Sequence, residues 1–124
     1  MKKNVIWTLS NMASKSSEAV DVMQSLKIHI RAVEFMRIGS DELKEQCLWL
    51  LPNMSADSAT VRSELLQTDL IEQIISIVKK EKVSVKILEN VCWLISCICR
   101  DPTPSSISKV ILYFIIVEKV VWTL

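Results

Sequence analysis

Glycine is nearly missing from this 124-residue chain: Gly39 stands alone, where average usage of ~7% would supply about nine. Phosphate-cradling loops, glycine hairpin turns and every motif that needs two glycines are thereby excluded. Histidine is as scarce. His29 has no second histidine beside it in the sequence, which excludes two-histidine zinc sites and leaves one partner for any serine or cysteine nucleophile. Lying between Ile28 and Ile30, it reads as a partly buried structural residue. Charge of one sign is lacking too, with 15 Lys and Arg against 14 Asp and Glu, a net +1. Such a balance gives no electrostatic footprint for nucleic acid, and the Lys79, Lys80, Lys82, Lys86 cluster, interrupted by Glu81, reads as a solvated turn.

Long hydrophobic runs are missing as well. The longest uncharged stretch of the apolar tail, Val110 to Val117, falls far short of the ~20 residues that cross a bilayer. The N-terminal MKKNVIWTL turns polar by Ser10, too early for a secretory signal. Cysteines stand at 47, 92, 97 and 99 without a C-x-x-C pair, so buried free thiols are expected rather than a metal site or disulfides. These exclusions predict a protein that is not an enzyme, with no catalytic residues, no metal, no cofactor, and neither nucleic acid nor membrane as partner.

What is present is apolar character, in half of all residues, and four tryptophans. Trp7 opens WTLSNMAS, Trp49 opens WLLPNMSA, Trp93 opens WLISCICR and Trp122 opens WTL, at spacings of 42, 44 and 29 residues. The first two fall in the ~40–47-residue period of helical solenoid repeats. A shift of 42 also pairs Met23 with Leu65, Val33 with Ile75, Phe35 with Ile77 and Met36 with Val78. The chain divides accordingly into a partial repeat over 1–14 (a third helix), full repeats over 15–57 and 58–101, and a truncated repeat over 105–124.

Each full repeat reads as three helices. In the first, Ser17 caps a helix to about Ser25, a second runs from Ile28 to Ile38, and Asp41 caps a third from Glu42 to about Ala56. In the second, helices span Ser58 to Thr68, Leu70 to Lys79 and Val85 to Arg100, where Asp101-Pro102-Thr103-Pro104 ends the last. No strand alternation persists, so the fold class is all-α.

On the third helix, at 100° per residue, Gln46, Trp49, Asn53 and Asp57 share an arc of roughly 80°, while Leu43, Cys47, Leu48, Leu51 and Met54 occupy the next ~140°. The second arc is the core side. The first is a polar stripe around one indole, repeated as Trp7, Asn11, Ser14 and as Asn90, Trp93, Arg100. Stacked third helices lie ~8–10 Å apart, so the indoles form a ladder and the amides another. Amides donate to and accept from a peptide backbone whatever its sequence. Neighbouring indoles hold the stem of Lys or Arg with cation–π attraction of ~0.5–2 kcal/mol, and Asp57 would meet the ammonium. A rival reading has Asp57 cap the helix that follows, beginning at 58–60. Asn53-Met54-Ser55 matches a glycosylation sequon, incidental on such a helix.

The segments NVIWTLSNMASKSSEAV, EQCLWLLPNMSADS and ENVCWLISCICRDPTPS resemble successive armadillo repeats of the importin-alpha family, in a divergent and truncated form. The family's mark is W-x-x-x-N on each third helix, with a loop similar to Cys99 to Pro104 after one of them. The resemblance spans about Asn4 to Ser105. It implies a right-handed α-solenoid of three-helix armadillo repeats and an adaptor, in cytoplasm and nucleus, that binds basic nuclear localisation signals of cargo and works with an importin-beta-like carrier. Trp7, Asn11, Gln46, Trp49, Asn53, Asp57, Asn90, Trp93 and Arg100 match its groove positions, Asp57 that for the critical lysine.

Four positions depart from the family pattern. Cys97 stands for the third asparagine, Lys15 for a glycine, Val20 for a threonine, and Pro52 interrupts the third helix before Asn53, where it removes a hydrogen bond. Residues 107–124 read as a helix with an unsatisfied apolar face, which predicts self-association. The alternative function is then an armadillo fragment serving only as a protein-interaction or dimerising module.

Overall fold

Serine starts four of the helices. The computed structural model describes residues 2–100 together with Glu118. Within it, Ser16, Ser40, Ser58 and Ser84 each hold extended backbone and accept, through Oγ, the N–H three residues on: Ala19 (3.1 Å), Leu43 (3.3 Å), Val61 (3.2 Å) and Ile87 (3.2 Å). Each bond satisfies one of the donors a helix N-terminus leaves open. The helices are α1 (Lys2–Lys15), α2 (Ser17–Ser25), α3 (Ile28–Ile38), α4 (Asp41–Ser55), α5 (Ala59–Leu65), α6 (Leu70–Val78) and α7 (Val85–Ile98). No strand occurs among the described residues.

The expected caps Ser17 and Asp41 are each one residue late. Both lie inside the first turn, where Asp41 joins Glu42 as an anion favoured by the helix dipole. Helix α5 stops short of Thr68 because that side chain turns the chain: Thr68 Oγ1 donates to Leu65 O (2.6 Å) and accepts from Leu70 N (3.2 Å). Helix α7 ends at Ile98 with Cys99 as its C-cap, short of Arg100. The 101–104 stop, the truncated repeat with Trp122 and the apolar face of 107–124 lie outside the described residues.

Gly39 is required by closeness rather than by backbone angle. Its φ is an ordinary −86°, but a Cβ there would stand 2.6 Å from both Phe35 O and Leu43 Cδ2. The α3–α4 corner therefore folds tightly only around a residue with no side chain.

Helix α4 is the centre of the packing, flanked by α1 on one side and α7 on the other, with α3 behind. Ion pairs Lys3–Glu42 and Glu45–Lys86 (3.6 Å) join the first turns of the three, which makes them parallel neighbours. Cys47, Leu48, Leu51 and Met54 are wholly buried, and Leu50 nearly so. Each large one contributes about 1.5–3 kcal/mol by burial. Pro52 is buried too, and the helix continues through it, Ala56 N donating to Pro52 O at 2.9 Å.

The three-helix units are tied by polar contacts. Arg37 forks onto Asp69 (2.6 and 3.0 Å), holding that carboxyl below its usual range. Glu64 on α5 accepts from Gln24 (2.8 Å), Lys27 (2.7 Å) and His29 (2.9 Å). The hydrogen bond from Lys27 first, and that from His29 next, lower its pKa to about 2. His29 is fully buried, not partly, because this carboxylate gives its Nε2–H an acceptor inside the packing. The architecture is an all-α, armadillo-like solenoid of three-helix repeats, and none of its described helices is long and apolar enough to cross a membrane.

Candidate functional site

Because α1, α4 and α7 run side by side, Trp7 and Trp49 come to line one cleft, while Trp93 on α7 is not among its lining residues. Trp7 is 51% exposed, Trp93 39%, and Trp49 between them half-buried. A cleft of about 390 Å³ opens there, lined by Trp7 from α1, Glu45, Gln46 and Trp49 from α4, and Lys86, Glu89 and Asn90 from α7. Its lining combines two indoles, two amides and three charged side chains.

The polar stripe is only partly as expected. Gln46 and Asn90 line the cleft, and the buried Gln46 Oε1 receives no hydrogen bond. Asn11 and Asn53 are half-buried on the same helices. Asn53 Nδ2 donates to Trp49 O (3.1 Å), and Ser14 Oγ to Asn11 O (2.8 Å), so both spend a donor on their own helix. Cys97 is wholly buried, which leaves no side chain on this face at the third asparagine position. Lys15 is exposed in the last turn of α1, and Val20 is buried.

Arg100 does not line the cleft. It lies beyond the end of α7 and donates to Ala56 O, where the buried Arg62 also donates (3.2 Å) while bonding Ser55 O (2.8 Å). Two guanidiniums thus satisfy the last carbonyls of α4, the end of the helix dipole that favours cations. Asp57, the next residue, is exposed. The helix that follows is capped by Ser58, so the capping role weighed for Asp57 falls to its neighbour, whose shorter side chain stands one position nearer.

Glu45, Lys86 and Glu89 are cleft residues that the stripe missed. A signal for them existed: Glu45 and Glu89 both stand four residues before a tryptophan, as Gln46 and Asn90 both stand three before. Among the thiols, burial pushes Cys47 up to about 12, far from a nucleophile. No group of three or more His, Cys, Asp or Glu among the described residues is arranged to hold a metal. The chemistry on offer is recognition: flat aromatic faces, amides and carboxylates.

Fold and surface together define an armadillo-like solenoid with a tryptophan-lined groove. The chain is importin-alpha-like. It is 29% identical over 100 residues to importin subunit alpha-6 of Arabidopsis thaliana, an alignment taking in 80% of this chain and 18% of that protein. It is 29% identical over 112 residues to probable importin subunit alpha-A of Dictyostelium discoideum (79% and 20%). To importin subunit alpha-2 of Arabidopsis thaliana it is 30% identical over 99 residues (79% and 18%). The chain thus spans about a fifth of the length of these curated relatives. No family model matches it.

Proposed function

We propose that this chain is an importin-alpha-like adaptor segment that binds an extended basic peptide, of the nuclear localisation signal class, across Trp7, Trp49 and Trp93. It performs no catalysis, its partners are basic cargo and an importin-beta-like carrier, and its setting is cytoplasm and nucleus. The observation that carries this reading is the cleft itself, in which two indoles from neighbouring helices flank amides and carboxylates. Aliphatic stems of Lys or Arg lie against the indoles with ~0.5–2 kcal/mol of cation–π attraction each. The Gln46 amide, turned outward, takes a donor from the ligand. Asn11, Asn53 and Asn90 serve the peptide backbone, and Asp57 receives a lysine ammonium.

A fluorescent basic peptide titrated at low and high salt tests this. Binding should be present, weaken as salt screens the charges, and fall at least tenfold in Trp49→Ala. Asp57→Lys should abolish it with helix content unchanged, and Lys15→Gly should tighten it. Absence of salt-sensitive binding refutes the reading. A second reading, a module that pairs with another copy of itself, is favoured by a separate apolar hollow of about 480 Å³ lined by Val5, Leu9, Ile28 and Phe35. Sedimentation as a clean monomer at tens of micromolar would remove it.

A further inference from the structure

We infer that Glu89 is a specificity-determining residue of the groove, the carboxylate that receives the charge of a basic side chain seated between Trp7 and Trp49, while Lys86 holds Glu45 out of that role. The inference rests on the peptide-binding reading above and assigns a function to residues that reading leaves unused. Three charged groups line the cleft. Lys86 Nζ lies 3.6 Å from Glu45 Oε1, so this cation and this anion answer each other across α4 and α7. Glu89, three residues on from Lys86 and on the same side of α7, has no ion pair among the described residues.

The cleft therefore carries one uncompensated negative charge and, in Gln46 Oε1, one buried acceptor without a donor. An ammonium or guanidinium on an aliphatic stem meets both needs at once. Its methylenes cover indole, its charge faces Glu89, and one N–H goes to Gln46 once that amide turns outward into the cleft. An acidic or neutral side chain meets neither. Lys86 is the resident competitor, since it can swing from Glu45 to Glu89 on its flexible, largely exposed stem.

The test titrates the fluorescent basic peptide and a series in which each Lys is replaced in turn by norleucine, or each Arg by citrulline. The proteins are wild type, Glu89→Gln, Lys86→Gln, Trp49→Ala and Glu72→Gln. The last removes one exposed negative charge on α6, outside the cleft. Glu89→Gln should weaken the parent peptide about two- to five-fold, and one peptide position should lose its sensitivity to charge in that variant alone. Lys86→Gln should tighten binding by a similar factor, and Glu72→Gln should leave it unchanged. If Glu89→Gln matches Glu72→Gln for every peptide while Trp49→Ala still loses binding, the inference fails and the peptide-binding reading stands. If wild type binds no basic peptide, both fall.

Discussion

Replacing Glu64 by glutamine isolates the contact that joins the two three-helix units. The Glu64 carboxylate has three donors aimed at it: Gln24 Nε2 on Oε1, and Lys27 Nζ and His29 Nε2 on Oε2. A glutamine amide offers one oxygen and one NH₂ in that space. With its oxygen toward His29, the NH₂ meets the Gln24 donor; turned round, it meets Lys27 and His29. Either way the negative charge that Lys27 and His29 share is lost, and the Gln24 amide must turn over or give up its acceptor. His29 is fully buried and its Nδ1 already lacks a partner, so the loss falls where water does not compensate. The bond from His29 to a charged acceptor is worth about 1.5–3 kcal/mol, while Lys27, 55% exposed, adds at most about 1 kcal/mol. Retention of one hydrogen bond by glutamine leaves a net expected loss of about 2–3 kcal/mol.

The same site predicts the acid limb of stability. Glu64 titrates at about 2 when folded, against about 4.3 unfolded. Its contribution is present in full above pH ~4.5 and is lost as pH falls toward 2, where the folded carboxylate finally takes up its proton. Urea denaturation of wild type and Glu64→Gln at pH 7, 5, 4 and 3 measures both effects, with wild type falling more steeply below pH 5. A loss under 0.5 kcal/mol at pH 7, with superimposable acid limbs, would refute the reasoning.

Other outcomes follow from single contacts. Arg62→Met removes two guanidinium bonds to Ser55 O and Ala56 O in a buried position and should cost about 2–4 kcal/mol by urea denaturation, with Arg62→Lys retaining part; an unperturbed midpoint would mean that Arg100 alone suffices there. Under native conditions at pH 8 a disulfide-exchange reagent should label the exposed Cys92, whereas Cys47, buried and held to about 12, should react only at the rate of unfolding. Equal rates for the two thiols would contradict the packing of α4.

Local chemistry made much of the solenoid legible in advance. Helix α3 was readable to the residue because Gly39 closes it, and the repeat emerged because tryptophan is rare enough for its spacing to carry information. Caps were displaced by one residue because a run of capping types, Ser16-Ser17 or Ser40-Asp41, offers two candidates, and only backbone angle chooses between them. The groove was less legible. Rotation by 100° per residue puts Arg100 and Asp57 on the stripe, but α7 ends at Ile98 and α4 at Ser55, and past a helix end that rotation no longer applies. Glu45 and Glu89 were missed for the opposite reason. They lie about 40° on the far side of each tryptophan, a position that one helix alone leaves outside the stripe. A neighbouring parallel helix turns it into the wall of a cleft.

These placements order the charge along the groove. Among the residues lining the cleft, Glu45 and Glu89 stand toward the first turns of α4 and α7 with Lys86 as the one cation, while toward the last turns stand Lys15 on α1 and the two guanidiniums on the carbonyls that end α4. Asp57 belongs to that second end, where a lysine of the ligand would meet resident cations. At an effective dielectric of 20 and 4 Å, two like charges cost about 4 kcal/mol, so that end takes the one lysine Asp57 receives and disfavours any further cation. Such an end favours a ligand whose basic residues are concentrated at the Glu89 side and whose neutral or acidic residues lie over Arg100. A peptide and its reversed sequence, equal in charge and composition, should therefore differ in affinity. Charge reversal at Arg100 should narrow that difference, since it removes one of the cations that make the two ends unlike.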